Sequence, residues 1–353
     1  MKNKKKCILH IGLHKTGTSS LQLSLHSSLN DKQHTYLNLF APNHSERLYS
    51  LFVENPENYH MNKRKGLSKN QIDRINLETK EMFQNSFNSS ASETMIISAE
   101  DISVLTLPAL KKLKVFLLYY FYEITIVAYV RSPFSYISSS FQEGVKAGWN
   151  DFNISKLYPN YRNKLEKFDI VFDKEKVHIW EFNRQSLFQN DVVQDFCYRL
   201  GIILNKENVI RSNNSLSKET LSLLYIYYKF GPGYGIGPNV QTENNLLIEN
   251  LRILGNTRFN FSSTLVKSII DSNIGDIRWI ESRMGRSFIN NFDEDEKGVF
   301  NESNLVNVHS DLIKSLCLII GKDHLPVGNN GQSFEEIANL IHALRIKLVK
   351  KHL

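Results

Sequence analysis

A short segment near the amino terminus constrains the fold of this chain more than any other. The run from Cys7 to Gly12 is apolar, and Leu21, Leu25 and Leu29 follow it at helical spacing. Between them lies the sequence GLHKTGTSS, residues 12–20. The N–H groups and the dipole at the start of a helix attract phosphate. The segment therefore predicts a buried strand, an anion-binding loop and a helix.

The loop differs from GxxxxGK[ST], the phosphate-binding motif of many ATPases and kinases. Gly12 and Gly17 have the spacing of that motif, but Thr18 stands in place of its lysine, and the lysine is found at position 15. Hydrolysis of a magnesium nucleotide also needs a second acidic motif, which the sequence does not contain. A P-loop-like nucleotide kinase or hydrolase is therefore the alternative interpretation and not the first.

Three further apolar runs predict strands of the same sheet. They are Met95 to Ser98, Ile124 to Val130 and Val177 to Trp180. Helical patterns accompany these runs: Ser68 to Phe87 precedes the first of them, and Asp191 to Leu200 follows the last. Strands that alternate with helices predict a parallel sheet with right-handed crossovers. The expected fold class is α/β, a three-layer sandwich with a central parallel sheet.

The pattern changes after Arg211. Helical runs continue without a convincing strand, near residues 221–230, 246–254, 265–270, 312–320 and 334–349. We expect residues 1–217 to form a nucleotide-binding core and residues 218–353 a helical extension, which is a candidate for binding the second substrate. Leu39 to Leu67 has little periodicity and predicts a long loop, and Gly231 to Pro238 predicts a hinge or loop.

Charge and cysteine content narrow the classes of partner. The 353 residues include 43 Lys and Arg against 36 Asp and Glu, and the formal charge of +7 favours anionic ligands. Basic residues are scattered beyond Lys4 to Lys6, and no zinc-finger or RNA-binding signature accompanies them, so nucleic acid is not an expected partner. Cys7, Cys197 and Cys317 lie far apart, which argues against a disulfide framework and favours a reducing, cytoplasmic setting.

No apolar stretch reaches the roughly 20 residues that a membrane-spanning helix needs. The longest apolar run, Val115 to Val130, contains Glu123 and predicts a helix end that continues into a strand. No spanning segment is expected, whereas peripheral contact with a membrane surface stays open. The oligomeric state also stays open.

The loop resembles that of a known family. His14 to Ser20 is similar to the 5′-phosphosulfate loop of sulfotransferases that use 3′-phosphoadenosine 5′-phosphosulfate (PAPS), especially bacterial enzymes acting on carbohydrates. The resemblance implies a P-loop-like fold, PAPS as co-substrate, adenosine 3′,5′-bisphosphate as product, no metal, and a glycan or small-molecule acceptor. It also implies that the donor is held by Lys15, Thr16, Gly17, Thr18, Ser19 and Ser20.

A second part of the chain carries the same resemblance. Arg131 follows a predicted strand and Ser139 comes two helical turns later, as in the pair with which this family holds the 3′-phosphate of the nucleotide. The planar fork of arginine suits phosphate. The choice of Ser139 over Ser138 and Ser140 rests on the family's spacing. Residues 211–217 are similar to an Asn-x-Ser element of these enzymes that contacts the nucleotide.

The resemblance also implies catalytic roles. Lys15 suits the leaving group, because negative charge builds on the bridging oxygen as the sulfuryl group departs. The acceptor's proton needs a base, which in this family is a carboxylate in carbohydrate and tyrosine enzymes and a histidine in small-molecule enzymes. Glu100 is the first candidate, because it follows a predicted strand at the edge where open sheets bind ligands. Asp101 and His14 are the others.

A basic and aromatic segment around Trp279 fits two interpretations. Arg278, Arg283 and Arg286 lie close to it in sequence. They could line a cleft for a sugar acceptor, or they could serve ordinary helix packing.

Overall fold

A computed structural model describes residues 4–13, 15–212, 215–237, 239–288, 298–321 and 333–352. His14, a candidate base, lies outside the described residues. The chain forms two compact units. Unit 1 comprises residues 1–132, 160–213 and 275–289, and unit 2 comprises residues 133–159, 214–274 and 290–353. The functional division into residues 1–217 and 218–353 stays a prediction.

Unit 1 contains the sheet. Its strands are β1 Lys5–His10, β2 His34–Tyr36, β3 Thr94–Ser98, β4 Phe121–Val130 and β5 Val177–Glu181. They lie in the order β2-β3-β1-β4-β5, and every neighbouring pair is parallel. The predicted α/β class with a central parallel sheet is confirmed. No sequence pattern predicts β2, because three residues are too few to show a periodicity.

The α-helices account for most of the remaining described chain. In order, they are α1 Thr18–Ser28, α2 Ser45–Phe52, α3 His60–Arg64, α4 Lys69–Ser89, α5 Leu107–Tyr120, α6 Pro133–Lys146, α7 Tyr161–Phe172, α8 Val192–Leu200, α9 Lys218–Phe230, α10 Val240–Leu251, α11 Ser263–Ser272, α12 Ile274–Met284, α13 Glu302–Val306, α14 Ser310–Ile320 and α15 Phe334–His352.

Helices cover both faces of the sheet. On one face, Ile8, Ile96 and Val127 of three neighbouring strands belong to one buried cluster. Helices α1 and α8 contribute Leu21 and Phe196 to the same cluster. The other face is covered by α5 and α7, which contact β4. The result is the predicted three-layer sandwich.

The register of the sheet brings three chain segments to one edge. His10 at the end of β1 pairs with Ser98 at the end of β3, and Val130 at the end of β4 pairs with Glu181. The loop after β1, the turn after β3 and the segment after β4 therefore leave the sheet at its carboxyl edge. In open α/β sheets this edge is where ligands bind.

The prediction of one long loop over residues 39–67 was wrong. The segment contains α2 and α3, and Leu48 and Phe52 of α2 are buried. Helices of eight and five residues are too short to show a repeated apolar face in the sequence. Buried contacts with the rest of the unit stabilise them instead of intrinsic helix propensity.

The described part of unit 2 contains helices together with two isolated bridges, Ser217 with Arg258 and Phe261 with Val299. The predicted helical character of the carboxy-terminal part is confirmed. The long helix α15 packs against α9, α10 and α14. The described residues of the predicted hinge after α9 form a loop, which buried Arg345 fixes by donating to the carbonyl of Tyr234 at 2.8 Å.

Candidate functional site

The φ angles of the loop between β1 and α1 alternate in sign, as they do in the anion-binding nests formed by successive N–H groups. Lys15 has a φ of 71° and Gly17 a φ of 76°, whereas Thr16 between them has a negative φ. Such alternation turns successive N–H groups toward one side of the chain, where they form a concave site for an anion. A lysine in the left-handed region costs about 1–3 kcal/mol and is typical of functional sites.

Close packing fixes this backbone. A Cβ at Gly12 would lie 2.6 Å from Oγ1 of Thr18 and 3.0 Å from the ring of His10. A Cβ at Gly17 would lie 2.7 Å from Cγ1 of Val192 and 3.1 Å from the ring of Phe182. Both glycines are therefore required by the close approach of neighbouring side chains.

Helix α1 lacks a side-chain cap, as do α2, α3 and α7 of unit 1, and it differs in this from α4, α5 and α8. Gly17 stands at the N-cap, no described side chain caps the helix, and its first turn contains no acidic residue. Helices α4, α5 and α8 instead begin with side-chain caps from Ser68, Thr106 and Asp191. Uncapped N–H groups at a helix start, together with the helix dipole, favour an exogenous anion.

The hydroxyl side chains of the loop have different surroundings. Thr16 is buried and donates to the carbonyl of Leu13 at 2.6 Å, so its hydroxyl shapes the loop. Thr18 is also buried, with its Oγ1 3.4 Å from that of Thr16. Ser20 accepts from the N–H of Ser212 at 3.0 Å, which brings the start of the predicted Asn-x-Ser stretch beside α1. Residues 213 and 214 of that stretch lie outside the described residues, and contacts of the hydroxyls with a donor stay predictions.

Arg131 reaches the loop directly. Its Nη1 donates to the carbonyl of Lys15 at 3.2 Å, and its guanidinium lies 5.2 Å from the centre of the Phe182 ring. Tyr161 donates from its hydroxyl to the carbonyl of Arg131 at 2.5 Å. The fold thus joins two residues that are 116 positions apart and that the sequence singled out separately.

A buried polar network supports the loop from the sheet. Oγ of Ser98 lies 2.8 Å from Nδ1 of His10 and accepts from Nε2 of Gln22 at 3.1 Å. The N–H of Ser98 donates to Nδ1 of His44 at 3.1 Å. Burial lowers the pKa of both histidines to about 3, so each is neutral at physiological pH. The network connects the ends of β1 and β3 to α1.

The two candidate carboxylates after β3 differ in their contacts. Asp101 accepts a hydrogen bond of 2.5 Å from the hydroxyl of Tyr59, and its N–H donates to Oγ of Ser45. These contacts give Asp101 a role in holding α2 and the turn before α3. Glu100 begins a short 3-10 turn directly after β3 and is partly exposed. It lies at the carboxyl edge of the sheet, and its role as the base stays a prediction.

Ser139 lies on α6 in unit 2. Its neighbour Ser138 is buried, and Oγ of Ser138 accepts from the N–H of Phe261 at 3.3 Å. Ser139 is partly exposed. Of these two serines, Ser138 therefore serves the packing of unit 2, whereas Ser139 is accessible to solvent.

The basic segment around Trp279 is partly explained by packing. Arg283 forms a two-pronged ion pair with Asp169, with Nε and Nη2 each 2.7 Å from a carboxylate oxygen. Arg286 pairs with the buried carboxylate of Glu181 at 2.7 Å. Arg283 therefore anchors α12 to α7, and its assignment to an acceptor cleft is not favoured.

Solved structures of two sulfotransferases are among those similar to the chain. One is a sulfotransferase from Alicyclobacillus acidocaldarius, with a TM-score of 0.44 and 13% identity over 82% of this chain and 98% of that chain. The other is the sulfotransferase domain from the curacin biosynthetic pathway, with a TM-score of 0.34 and 14% identity over 59% of this chain and 77% of that chain. No family model and no curated protein matches the chain.

Some residues that position the site carry no sequence signal. Phe182 follows β5 and lies beside both Gly17 and the guanidinium of Arg131, yet no pattern singles it out. His10 and Ser98 do leave a signal, since each is a polar residue that ends an apolar strand. Among the described residues, no group of three or more His, Cys, Asp or Glu side chains could hold a metal ion.

Proposed function

We propose that this protein is a sulfotransferase that moves a sulfuryl group from PAPS to a hydroxyl or amine of an acceptor, with a carbohydrate as the favoured class. One observation carries the proposal. The nest after β1 has its lysine inside the loop, at Lys15, and the guanidinium of Arg131 donates to the carbonyl of that lysine. N–H groups of the loop and of the start of α1 can donate hydrogen bonds to a phosphosulfate. The two cationic residues Lys15 and Arg131 belong to the same site.

The donor has two anionic ends that need different partners. We assign its 5′-phosphosulfate to the loop N–H groups, the start of α1 and the side chain of Lys15. Arg131 is assigned to the 3′-phosphate, where its planar fork can form two charge-assisted hydrogen bonds. Ser139 is assigned to the same phosphate by the family resemblance alone. The exposed Ser19 adds a hydroxyl at the start of α1.

The chemistry requires one bond to form and one to break. The acceptor oxygen or nitrogen attacks sulfur, the bond from sulfur to the bridging phosphate oxygen breaks, and adenosine 3′,5′-bisphosphate leaves. Because sulfuryl transfer resembles phosphoryl transfer in its loose, in-line transition state, positioning and charge stabilisation dominate catalysis. Lys15 neutralises the charge that develops on the bridging oxygen. Glu100 takes the proton from the acceptor.

The test is transfer of labelled sulfate from PAPS to a panel of glycans and small phenols in the presence of EDTA. The proposal predicts a sulfated product together with adenosine 3′,5′-bisphosphate. Glu100→Gln should leave the dissociation constant of the bisphosphate within about twofold while transfer falls by about 100-fold or more, the range of general base catalysis. Asp101→Asn is the matched control, and it should retain transfer.

One result would count against the proposed activity, and another against the assignment of its base. One is turnover of magnesium ATP without any use of PAPS, which would favour the kinase or hydrolase alternative. The other is unchanged transfer in Glu100→Gln together with loss of transfer in Asp101→Asn, which would remove Glu100 from the mechanism and assign the base to its neighbour.

A further inference from the structure

Helix α5 presents apolar side chains to solvent at its carboxyl end. Val115 is 71% exposed, Leu118 38% and Tyr119 76%, and these positions follow helical spacing on one face. Tyr122, at the start of β4, is 52% exposed and lines the same surface pocket as Leu118. Large apolar side chains grouped in this way mark an interaction site, whereas single exposed ones do not.

Lysines surround this group. Lys111 and Lys112 are exposed one turn before Val115, and Nζ of Lys4 donates to the carbonyl of Leu118 at 2.8 Å. Lys6 is also nearby, because Glu93 accepts from its ammonium at 2.9 Å and from the Tyr122 hydroxyl at 3.3 Å.

We call these eight residues the α5 surface. They are the four apolar or aromatic residues Val115, Leu118, Tyr119 and Tyr122 and the four lysines Lys4, Lys6, Lys111 and Lys112. Glu93 offsets one of the lysines, and the neighbouring Glu123 is paired with Lys176. The α5 surface therefore has a positive net charge.

We propose that the α5 surface binds peripherally to the headgroup region of an anionic lipid membrane. Lysines are attracted to the negative surface potential of such a membrane, and tyrosines prefer the level of the headgroups. Val115 and Leu118 can enter the boundary between headgroups and acyl chains, as the apolar residues of interfacial helices do. Among the described helices, none has both the length and the apolar character needed to cross a membrane.

The charge and the side-chain types of the α5 surface favour lipid over two other binding partners. A second copy bound by twofold symmetry would place these lysines against their own equivalents, and facing like charges oppose association. A nucleic acid would use the lysines and tyrosines but gain no stacking from Val115 or Leu118. An anionic bilayer uses both the lysines and the aliphatic side chains.

The location on unit 1 leaves the loop accessible. The α5 surface lies where β1 and β4 begin, whereas the loop after His10 lies at the carboxyl edge of the same sheet. Membrane contact through α5 would therefore leave the carboxyl edge turned away from the bilayer. Such contact does not depend on the proposed function, and it can be measured without any enzymatic readout.

The experiment is co-sedimentation of the full chain with vesicles of phosphatidylcholine, either alone or with about 30% phosphatidylserine. The chain should bind the anionic vesicles and be released at about 0.5 M salt, where the Debye length falls to a few ångströms. Lys111→Glu with Lys112→Glu should weaken binding by about tenfold or more. Lys206→Glu with Lys267→Glu makes the same change in net charge at exposed sites on other elements and should bind like wild type.

A second variant separates specific contact from charge alone. Val115→Ser with Tyr119→Ser removes apolar area from exposed positions and should weaken binding several-fold without lowering the melting temperature. Binding that is equal for the α5 and control charge variants would overturn the proposal. So would absence of binding to the anionic vesicles, preference for a single-stranded oligonucleotide over them, or a dimer in solution that the serine variant dissociates.

Discussion

Lys15 is a residue whose conformation works against stability. Its φ of 71° places a residue that has a side chain in the left-handed region. Glycine adopts this region without steric strain, whereas other residues are strained there. The proposed function gives its ammonium a role in donor binding that glycine could not supply. Stability and activity should therefore respond in opposite directions when Lys15 is replaced by glycine.

Lys15→Gly should unfold at a higher temperature than Lys15→Ala, by the equivalent of about 1 kcal/mol, because glycine removes the strain that alanine keeps. Both variants should lose transfer, since both lack the cation. Thermal unfolding monitored by circular dichroism, with a sulfate-transfer assay in parallel, checks this. Equal melting temperatures of the two variants would mean that the left-handed conformation is not populated in solution.

Gly17 combines backbone strain with crowding. Gly17→Ala would place a Cβ only 2.7 Å from Val192 on a residue with a φ of 76°, so it should lower the free energy of unfolding by about 1–3 kcal/mol and weaken nucleotide binding. Gly201→Ala is the matched control. Gly201 has a φ of 67°, but no atom lies within 4 Å of the position that its Cβ would take.

Denaturant titration and calorimetry on the two glycine variants separate strain from crowding. Gly201→Ala should lower the free energy of unfolding by about 1 kcal/mol through backbone strain, and it should leave nucleotide affinity unchanged. If both variants bound nucleotide like wild type, the packing of Gly17 against Val192 and Phe182 would have no part in forming the site.

At the scale of the secondary-structure elements, two buried histidines beside the ends of β1 and β3 make the stability of the fold depend on pH. Burial lowers the pKa of His10 and His44 to about 3, below the ordinary value of about 6.5. Between these values the unfolded chain binds a proton at each histidine and the folded chain does not. The free energy of unfolding is therefore unaffected at higher pH and falls as the pH drops below about 6.5, by about 1.4 kcal/mol per pH unit for each histidine.

Urea unfolding between about pH 5 and pH 7.5 measures this slope. His44→Gln should reduce it, because the glutamine oxygen can still accept from the N–H of Ser98 but does not titrate. An identical slope in wild type and His44→Gln would show that His44 is not buried in neutral form.

The elements also show which parts of the fold sequence patterns can predict. The long amphipathic helix α4 and the run from α5 into β4 are predictable, because their apolar positions repeat over several turns or alternations. By contrast, β2 has three residues and α3 has five, and such elements exist only through contacts with the rest of the unit. Local pattern cannot reveal an element that tertiary packing creates.

For the whole molecule, the sequence indicates the fold class and the candidate loop more fully than the residues that support the loop. Gly12 and Gly17 are visible as a motif, because close backbone approach requires glycine whatever the rest of the chain does. The contact of Arg131 with Lys15 is not visible, since it depends on the order of β1 and β4 in the sheet. The identity of the acceptor is not encoded in either feature.

The proposed donor site consists of the nest after β1 and the guanidinium of Arg131, which together should bind a nucleotide that carries a 3′-phosphate. Calorimetric titration with adenosine 3′,5′-bisphosphate in EDTA, alongside 5′-AMP and ATP, is the decisive experiment. We expect tight binding of the bisphosphate without metal, weaker binding of 5′-AMP, and a loss of about 1.5–3 kcal/mol in Arg131→Ala but not in the exposed control Arg74→Ala. No binding of the bisphosphate, or a preference for magnesium ATP, would refute this site.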